Sequence, residues 1–354
     1  VFRKAIESKH RVEFGLFSML KYYTCTIDNQ LYLWPIDQPI QKDQQNDNII
    51  PIIEDCELIT CVACGKTQKR DGFKIDSPYI IIVVTNRSFS LYPVIIDKGL
   101  IKIQPAIKLN HSLPLLTAIT VSPTGHIFVG DNNGDIYLLS YKTDFWDIRK
   151  YKLYFKHLTY FPVVTQTLKT VPLLYPFVNW VSKNAGLTLP IKQLALCQLK
   201  DECFFIASLN TDPTGTHTHL NFYYFDKDNE TLKKISSYIP DKKHPEKLVK
   251  IVSIPISESR TTHFVAFTET SDRIFFIEAT NPTTHQYEIK KYKIRLFVSQ
   301  LEQEKLVDAN YSLGVSLFIY QHKIALTKTT QSVYYASLNP IENIFGLIKN
   351  IMRK

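Results

Sequence analysis

Residues 116–141 read LTAITVSPTGHIFVGDNNGDIYLLSY, and this stretch decides the fold. An apolar run from Leu116 to Val121 is closed by Ser122-Pro123-Thr124-Gly125. A second run, His126-Ile127-Phe128-Val129-Gly130, is closed by Asp131-Asn132-Asn133-Gly134, and a third follows from Asp135 to Tyr141. Three β-rich runs joined by two short turns, each ending in glycine, predict a meander of antiparallel strands of the kind a propeller blade uses. The theme recurs on both sides. Residues 22–27 and 31–34 flank Asp28-Asn29-Gln30, and residues 79–84 and 88–95 flank Thr85-Asn86-Arg87. Further strands are expected at 203–209, 220–225, 248–255, 263–268, 273–278, 287–297, 313–320, 322–327 and 332–337, with little helical periodicity between them.

The chain has 354 residues, enough to bury a large core in one all-β domain or two smaller ones. Two sandwiches would need a linker near the middle, and the only long irregular stretch there is too apolar to be one. An irregular β-propeller of six or seven blades accounts for the length once an insertion at 142–190 is set aside, so the propeller is expected over residues 1–339. No WD dipeptide marks its blades. Asn339-Pro340 then opens a stretch, 340–354, whose apolar residues Ile341, Ile344, Phe345, Ile348, Ile351 and Met352 fit one helical face and predict the start of a helical region. The missing initiator Met and this unpartnered stripe read as a piece of a longer protein, in which one blade lacks a strand or the ring is complete.

The formal charge is +9, and its distribution is uneven. Residues 148–200 contain no Asp or Glu but hold Arg149, Lys150, Lys152, Lys156, Lys169, Lys183, Lys192 and Lys200. The same stretch is dense in large apolar groups, a combination suited to an anionic, partly apolar surface such as a lipid headgroup layer. Within it Pro172 and Pro176 each remove a backbone donor, which argues against one unbroken helix. A break near 170–172 and a short helix from about Pro176 to Asn184, ended by Gly186, fit better. Val171, Leu173, Leu174, Tyr175, Phe177, Val178, Trp180 and Val181 are the candidate membrane-contact residues. Arg149, Lys150, Lys152, Lys156, Lys169 and Lys183 are the candidate electrostatic support. The competing reading is that this apolar segment covers a sheet edge or docks a following domain, with Trp180 a core anchor.

Other functions are weighed against this. Basic residues interleaved with aromatics can track phosphates and stack bases, so a nucleic-acid-binding or generic protein-interaction propeller stands as the alternative; the many aliphatic residues, which bases do not need, argue against nucleic acid. No G-x-S-x-G, phosphate-cradling glycine loop or H-E-x-x-H occurs, which points away from an enzyme, and no cofactor or small-molecule substrate is implied. Cys56, Cys61 and Cys64 have C-x4-C-x2-C spacing without a second ligand pair, and read better as small apolar residues of a strand than as a metal site. No apolar run is long enough to cross a bilayer as a helix, and the N-terminus carries no secretory signal.

A family resemblance sharpens the picture. Phe14-Gly15-Leu16-Phe17, then Cys25-Thr26-Ile27-Asp28-Asn29-Gln30-Leu31-Tyr32-Leu33-Trp34, resembles the opening propeller motif of the nucleoporin 155/170 class of inner-ring scaffold nucleoporins. The stretch from Ile127 to Tyr137 resembles the I-F-x-G-x-x-x-G-x-x-Y blade motif of that class. Trp146, the basic stretch to His157, Pro190-Ile191-Lys192-Gln193-Leu194 and Val307-Asp308-Ala309-Asn310-Tyr311-Ser312-Leu313-Gly314 follow in the family order, so the likeness spans about residues 14–337. The resemblance implies a seven-bladed N-terminal propeller followed by a helical solenoid, and a structural role in the nuclear pore inner ring that supports nucleocytoplasmic transport of protein and mRNA. It implies nuclear envelope localisation through a membrane-binding propeller loop. As partners it implies the membrane surface, other inner-ring nucleoporins and a small linker nucleoporin that binds as a peptide. The loop here is longer than the family pattern and contains Pro162, Pro172 and Pro176, which leaves the register of any helix in it open.

Overall fold

The computed structural model describes residues 12–17, 20, 22–27, 30–35, 49–51, 57–67, 77–97, 100–110, 115–143, 151–158, 189–198, 204–212, 215, 217–240, 248–254, 262–268, 272–281, 286–294, 306–312, 315–320, 323–328 and 333–337. These residues form six antiparallel sheets, where the resemblance implied seven blades. The first sheet is β1 (Val12–Phe17), β2 (Tyr22–Ile27), β3 (Gln30–Pro35) and β4 (Ile49–Pro51). The second is β5 (Ile59–Lys66), β6 (Tyr79–Thr85) and β7 (Ser88–Asp97), with β8 (Leu100–Ile103) and β9 (Ile107–Asn110) both pairing with β7. The third is β10 (Leu116–Val121), β11 (Ile127–Asp131), β12 (Ile136–Thr143) and β13 (Tyr151–His157). The fourth is β14 (Ile191–Gln198), β15 (Phe204–Thr211), β16 (Thr218–Asp226) and β17 (Thr231–Tyr238). The fifth is β18 (Leu248–Ile254), β19 (Thr262–Thr268), β20 (Asp272–Asn281) and β21 (Gln286–Ile294). The sixth is β22 (Leu306–Ser312), β23 (Val315–Tyr320), β24 (Lys323–Lys328) and β25 (Val333–Ser337).

Each sheet is a meander in chain order, except that β9 returns to pair with β7 in the second, and the first strand of each lies innermost. Strand β10 lies against β5 and β14, β14 against β18, β18 against β22, and β22 against β1, which brings the sixth sheet back to the first. The chain is an all-β propeller. Its packing explains why several strands read as unbroken apolar runs. In β6, Ile81 and Val83 face a core shared with Leu31 and Leu33 of the first sheet. Their neighbours Ile80, Ile82 and Val84 face the opposite way, into a core shared with Ile127, Val129 and Leu139 of the third. Strand β15 does the same, with Phe204 and Ile206 packed toward the third sheet and Phe205, Ala207 and Leu209 toward the fifth. A blade covered on both faces needs apolar residues at every position, and each fully buried Ile or Phe contributes about 1.5–3 kcal/mol.

Two features depart from the expectation. Residues 151–157, read from sequence as part of the inserted loop 142–190, form the outermost strand of the third sheet. Phe155 there packs edge-on against Phe89 of the second sheet, with ring centroids 6.2 Å apart. Strand β17 was not expected at all. Its side chains are exposed or half-buried throughout, because the outermost strand of a blade has one unpaired edge and little to cover it. The helix expected at 340–354 lies outside the described residues.

Candidate functional site

Strand β13 runs toward the end of the ring at which β14 begins, so the acid-free segment leaves the third sheet and rejoins the fourth at one end of the molecule. Both roots are fixed by local chemistry. The turn between β11 and β12 is organised by Asp131, whose Oδ1 accepts the amides of Asn133 at 2.9 Å and Asp135 at 2.8 Å. Gly134 takes φ 88°, a left-handed conformation that a side chain would oppose. The Tyr137 hydroxyl donates to Asp131 Oδ2 at 3.3 Å. Burial pushes the Asp131 carboxyl above its ordinary value, opposed by the amide of Asp135. Asp135 in turn meets His157 Nε2 at 3.1 Å, the His157 ring packs on Tyr137, and the amide of buried Leu158 donates to the Ile136 carbonyl at 2.9 Å.

The returning root is held from three directions. Asn210 Nδ2 donates to the Leu189 carbonyl at 2.9 Å, and the Thr211 amide donates to the Pro190 carbonyl at 2.9 Å. The Thr117 hydroxyl, from the third sheet, donates to the Ile191 carbonyl. Ile191 is fully buried against Gly130; a Cβ at that glycine would come within 2.8 Å of Ile191 Cγ2, so only glycine allows the two sheets to approach there.

Of the candidate membrane-contact residues, Val171, Leu173, Leu174, Tyr175, Phe177, Val178, Trp180 and Val181 lie outside the described residues, as do Arg149, Lys150, Lys169 and Lys183. Lys152 falls on β13, paired in register with Lys142 of β12. Lys156 is exposed on the same strand, and its ammonium lies 3.2 Å from Glu230 Oε2 and 3.4 Å from the Asn229 carbonyl of the β16–β17 turn. The structure thus brings two of the expected cations onto an outer strand and gives one a carboxylate partner in the next sheet. Lysine on an outermost strand also discourages edge-to-edge pairing, a structural use that sequence reading did not weigh.

Thr117, Asn210 and Glu230 were not singled out from sequence. Asn210 had a readable signal: Ser208-Leu209-Asn210 puts two polar residues into an otherwise apolar run. Both are buried, and Asn210 Oδ1 accepts from Ser208 Oγ and from Asn221 Nδ2. Buried polar groups in such a run need partners, and these partners lead to the loop root. Cys61 belongs to the core between the second and third sheets, whereas Cys64 packs toward the first, so the two sulfurs point to opposite faces of β5. Burial pushes the Cys64 thiol up to about 12. Cys56 lies outside the described residues, among which no cluster of three or more His, Cys, Asp or Glu could hold a metal ion. No helix among them is long and apolar enough to cross a membrane.

With this geometry in hand, comparisons place the chain. Residues 1–144 match the Nucleoporin_N family model, described as Nup133 N terminal like. The N-terminal part of this propeller is similar to that nucleoporin family. The Nup170 N-terminal domain of Chaetomium thermophilum, solved in complex with Nup53, superimposes with a TM-score of 0.58 at 16% identity. That match covers 92% of this chain and 47% of the other, so the chain here spans about half the length of the solved Nup170 chain. The Nup133 β-propeller of Vanderwaltozyma polyspora matches at 12% identity and TM-score 0.45, covering 88% of this chain and 80% of that one. A search of curated protein sequences returns no match.

Proposed function

We propose that this propeller is a non-enzymatic scaffold component of the nuclear pore inner ring, anchored peripherally to the nuclear envelope by the loop between its third and fourth sheets. The observation that carries the reading is the pair of fixed roots. A segment without acidic residues and rich in aromatics leaves at Leu158 and returns at Leu189, both pinned by hydrogen bonds at one end of the ring. Fixed roots restrict where such a segment can go, which lowers the entropy lost when it meets a surface. Sparse lysines with Thr and Ser between the apolar residues favour insertion at packing defects of curved lipid over purely ionic attraction. The Nup170 structure that resembles this chain was solved with Nup53, which supports other nucleoporins as partners; the reading adds to these a small linker nucleoporin bound as a peptide.

The test is localisation of the tagged protein with and without residues 160–185. The account expects a nuclear-rim signal that weakens on deletion; a rim signal of unchanged intensity and turnover would remove the membrane role while leaving the scaffold role. Salt separates this from phosphate tracking, since binding to nucleic acid falls steeply between 50 and 200 mM salt.

A further inference from the structure

Three large apolar side chains lie exposed at the end of the ring where the acid-free segment is rooted: Leu58 at 59%, Leu115 at 42% and Ile239 at 56%. Strand register and the contacts between sheets place them there. The Leu58 carbonyl accepts the Asn86 amide at 3.1 Å and the Leu115 carbonyl accepts the Asn132 amide at 2.9 Å, so each leucine stands just ahead of the innermost strand of its sheet. Gly65 lies against Val121 at the far ends of β5 and β10, and Thr117 bonds Ile191 at the near ends of β10 and β14, so these three innermost strands run in one direction. Ile239 follows β17, whose Tyr238 pairs with Leu220, on the side of the fourth sheet where the Thr211 amide holds the Pro190 carbonyl. Charge divides the same way. Among the described carboxylates of the second, third and fourth sheets, those at this end are turned inward: Glu57, Asp131 and Asp135 are buried, and half-buried Asp212 accepts the His217 amide at 2.9 Å. The exposed ones, Asp97 and Asp228, sit at the other end. Arg87, exposed in the turn that Asn86 ties to Leu58, adds a cation to the loop-root end.

We propose that this end of the ring is itself a lipid-contact surface, in which Leu58, Leu115 and Ile239 enter the headgroup layer around the acid-free segment and Arg87 meets headgroup phosphate. The proposal rests on the membrane reading given above and extends it from the loop to the folded face that carries the loop. A carboxylate carried into a headgroup layer loses hydration and is repelled by anionic lipid, so the end that turns its carboxylates inward is the one a bilayer approaches closely. Exposed leucine and isoleucine gain by leaving water at that boundary. Contacts from three different sheets also fix a plane. The propeller therefore takes one orientation on the bilayer, which a single tethered segment does not impose.

The experiment is partitioning of the 354-residue chain onto small phosphatidylcholine vesicles, with and without phosphatidylserine, for wild type, Leu58→Ser, Leu115→Ser, Ile239→Ser and Arg87→Gln. Ile95→Ser and Ile96→Ser are the controls, because those residues are also exposed but lie at the opposite end of the second sheet. Each serine variant of the loop-root end is expected to lower partitioning about 3- to 10-fold at unchanged melting temperature, with no change in the two controls. Arg87→Gln is expected to lower it about 5-fold on the anionic vesicles alone. Wild-type partitioning by all three loop-root variants, losses of equal size in the controls, or an Arg87→Gln loss equal on both kinds of vesicle would overturn the proposal. So would a melting temperature lowered by the loop-root substitutions, which would show the face covered within the chain. Loss of self-association without loss of partitioning would make the face a contact between copies and also overturn it. Trp180→Asp judges the loop separately in the same assay. If it binds like wild type while the loop-root variants do not, the loop reading fails and the folded face alone makes the contact. If it abolishes binding while the loop-root variants bind like wild type, the loop reading stands and this proposal falls.

Discussion

Replacing Asn210 by Ala isolates what holds the returning root. Asn210 is 6% exposed and makes three bonds: Nδ2 to the Leu189 carbonyl at 2.9 Å, and Oδ1 from Ser208 Oγ at 2.6 Å and from Asn221 Nδ2 at 3.0 Å. Each bond contributes about 1 kcal/mol net, and a partner left buried without a bond costs about 1–3 kcal/mol. Leu189 and Asn221 are half-buried and regain water in part, while Ser208 is fully buried but also bonds Tyr223. The expected loss is therefore about 2–3 kcal/mol. With an unfolding entropy of roughly 2.1 cal/mol/K per residue, a chain of this length loses roughly 3–4 °C of melting temperature. Calorimetry measures the shift, and amide exchange locates it, with protection falling first at Thr211, whose amide bonds the Pro190 carbonyl beside the lost contact. Asn210→Asp is expected to be worse, because a carboxylate oxygen would face the Leu189 carbonyl. A shift below about 1 °C for Asn210→Ala, or protection unchanged at Thr211, would refute the reasoning that this network holds the root.

Other outcomes follow from the same geometry. Gly65→Ala would place a Cβ 2.1 Å from Val121 Cγ1 and 2.7 Å from its Cβ, costing about 1–3 kcal/mol in urea denaturation, with partial rescue by adding Val121→Ala. Glu57→Gln should destabilise by about 2–3 kcal/mol, since the buried carboxylate accepts from Thr85, Ser88 and Lys108 at 2.6, 2.6 and 2.7 Å; a loss under 0.5 kcal/mol would count against it. Asp131 has a raised folded pKa, so its protonation adds stability that is fully present below 3.8 and is lost as pH rises through the elevated value. Asp131→Asn should flatten that part of the stability profile, measured by thermal melts across pH 3–7.

How much of this was readable from sequence depends on burial. The runs 79–84 and 127–129 were legible because strands covered on both faces are apolar throughout, and the turns at Gly125 and Gly134 were legible because left-handed backbone selects glycine. Strand β17, Thr-Leu-Lys-Lys-Ile-Ser-Ser-Tyr, was not, because an outermost strand has no face that demands a regular apolar alternation. Strand β13 was hidden for a related reason: its lysines read as membrane-facing charge, although Phe155 on the same strand packs into a core. Contacts between the third and fourth sheets were out of reach, since Thr117 with Ile191 and Lys156 with Glu230 join residues 74 positions apart in each case. Only the ring brings them together.

The central claim is that the segment carrying Phe177 and Trp180 contacts lipid. Flotation of the wild-type chain, Phe177→Asp and Trp180→Asp with small, highly curved vesicles tests it directly. Each carboxylate placed in the apolar contact should reduce the floated fraction at least several-fold with no change in melting temperature. Wild-type flotation by both variants would contradict the account.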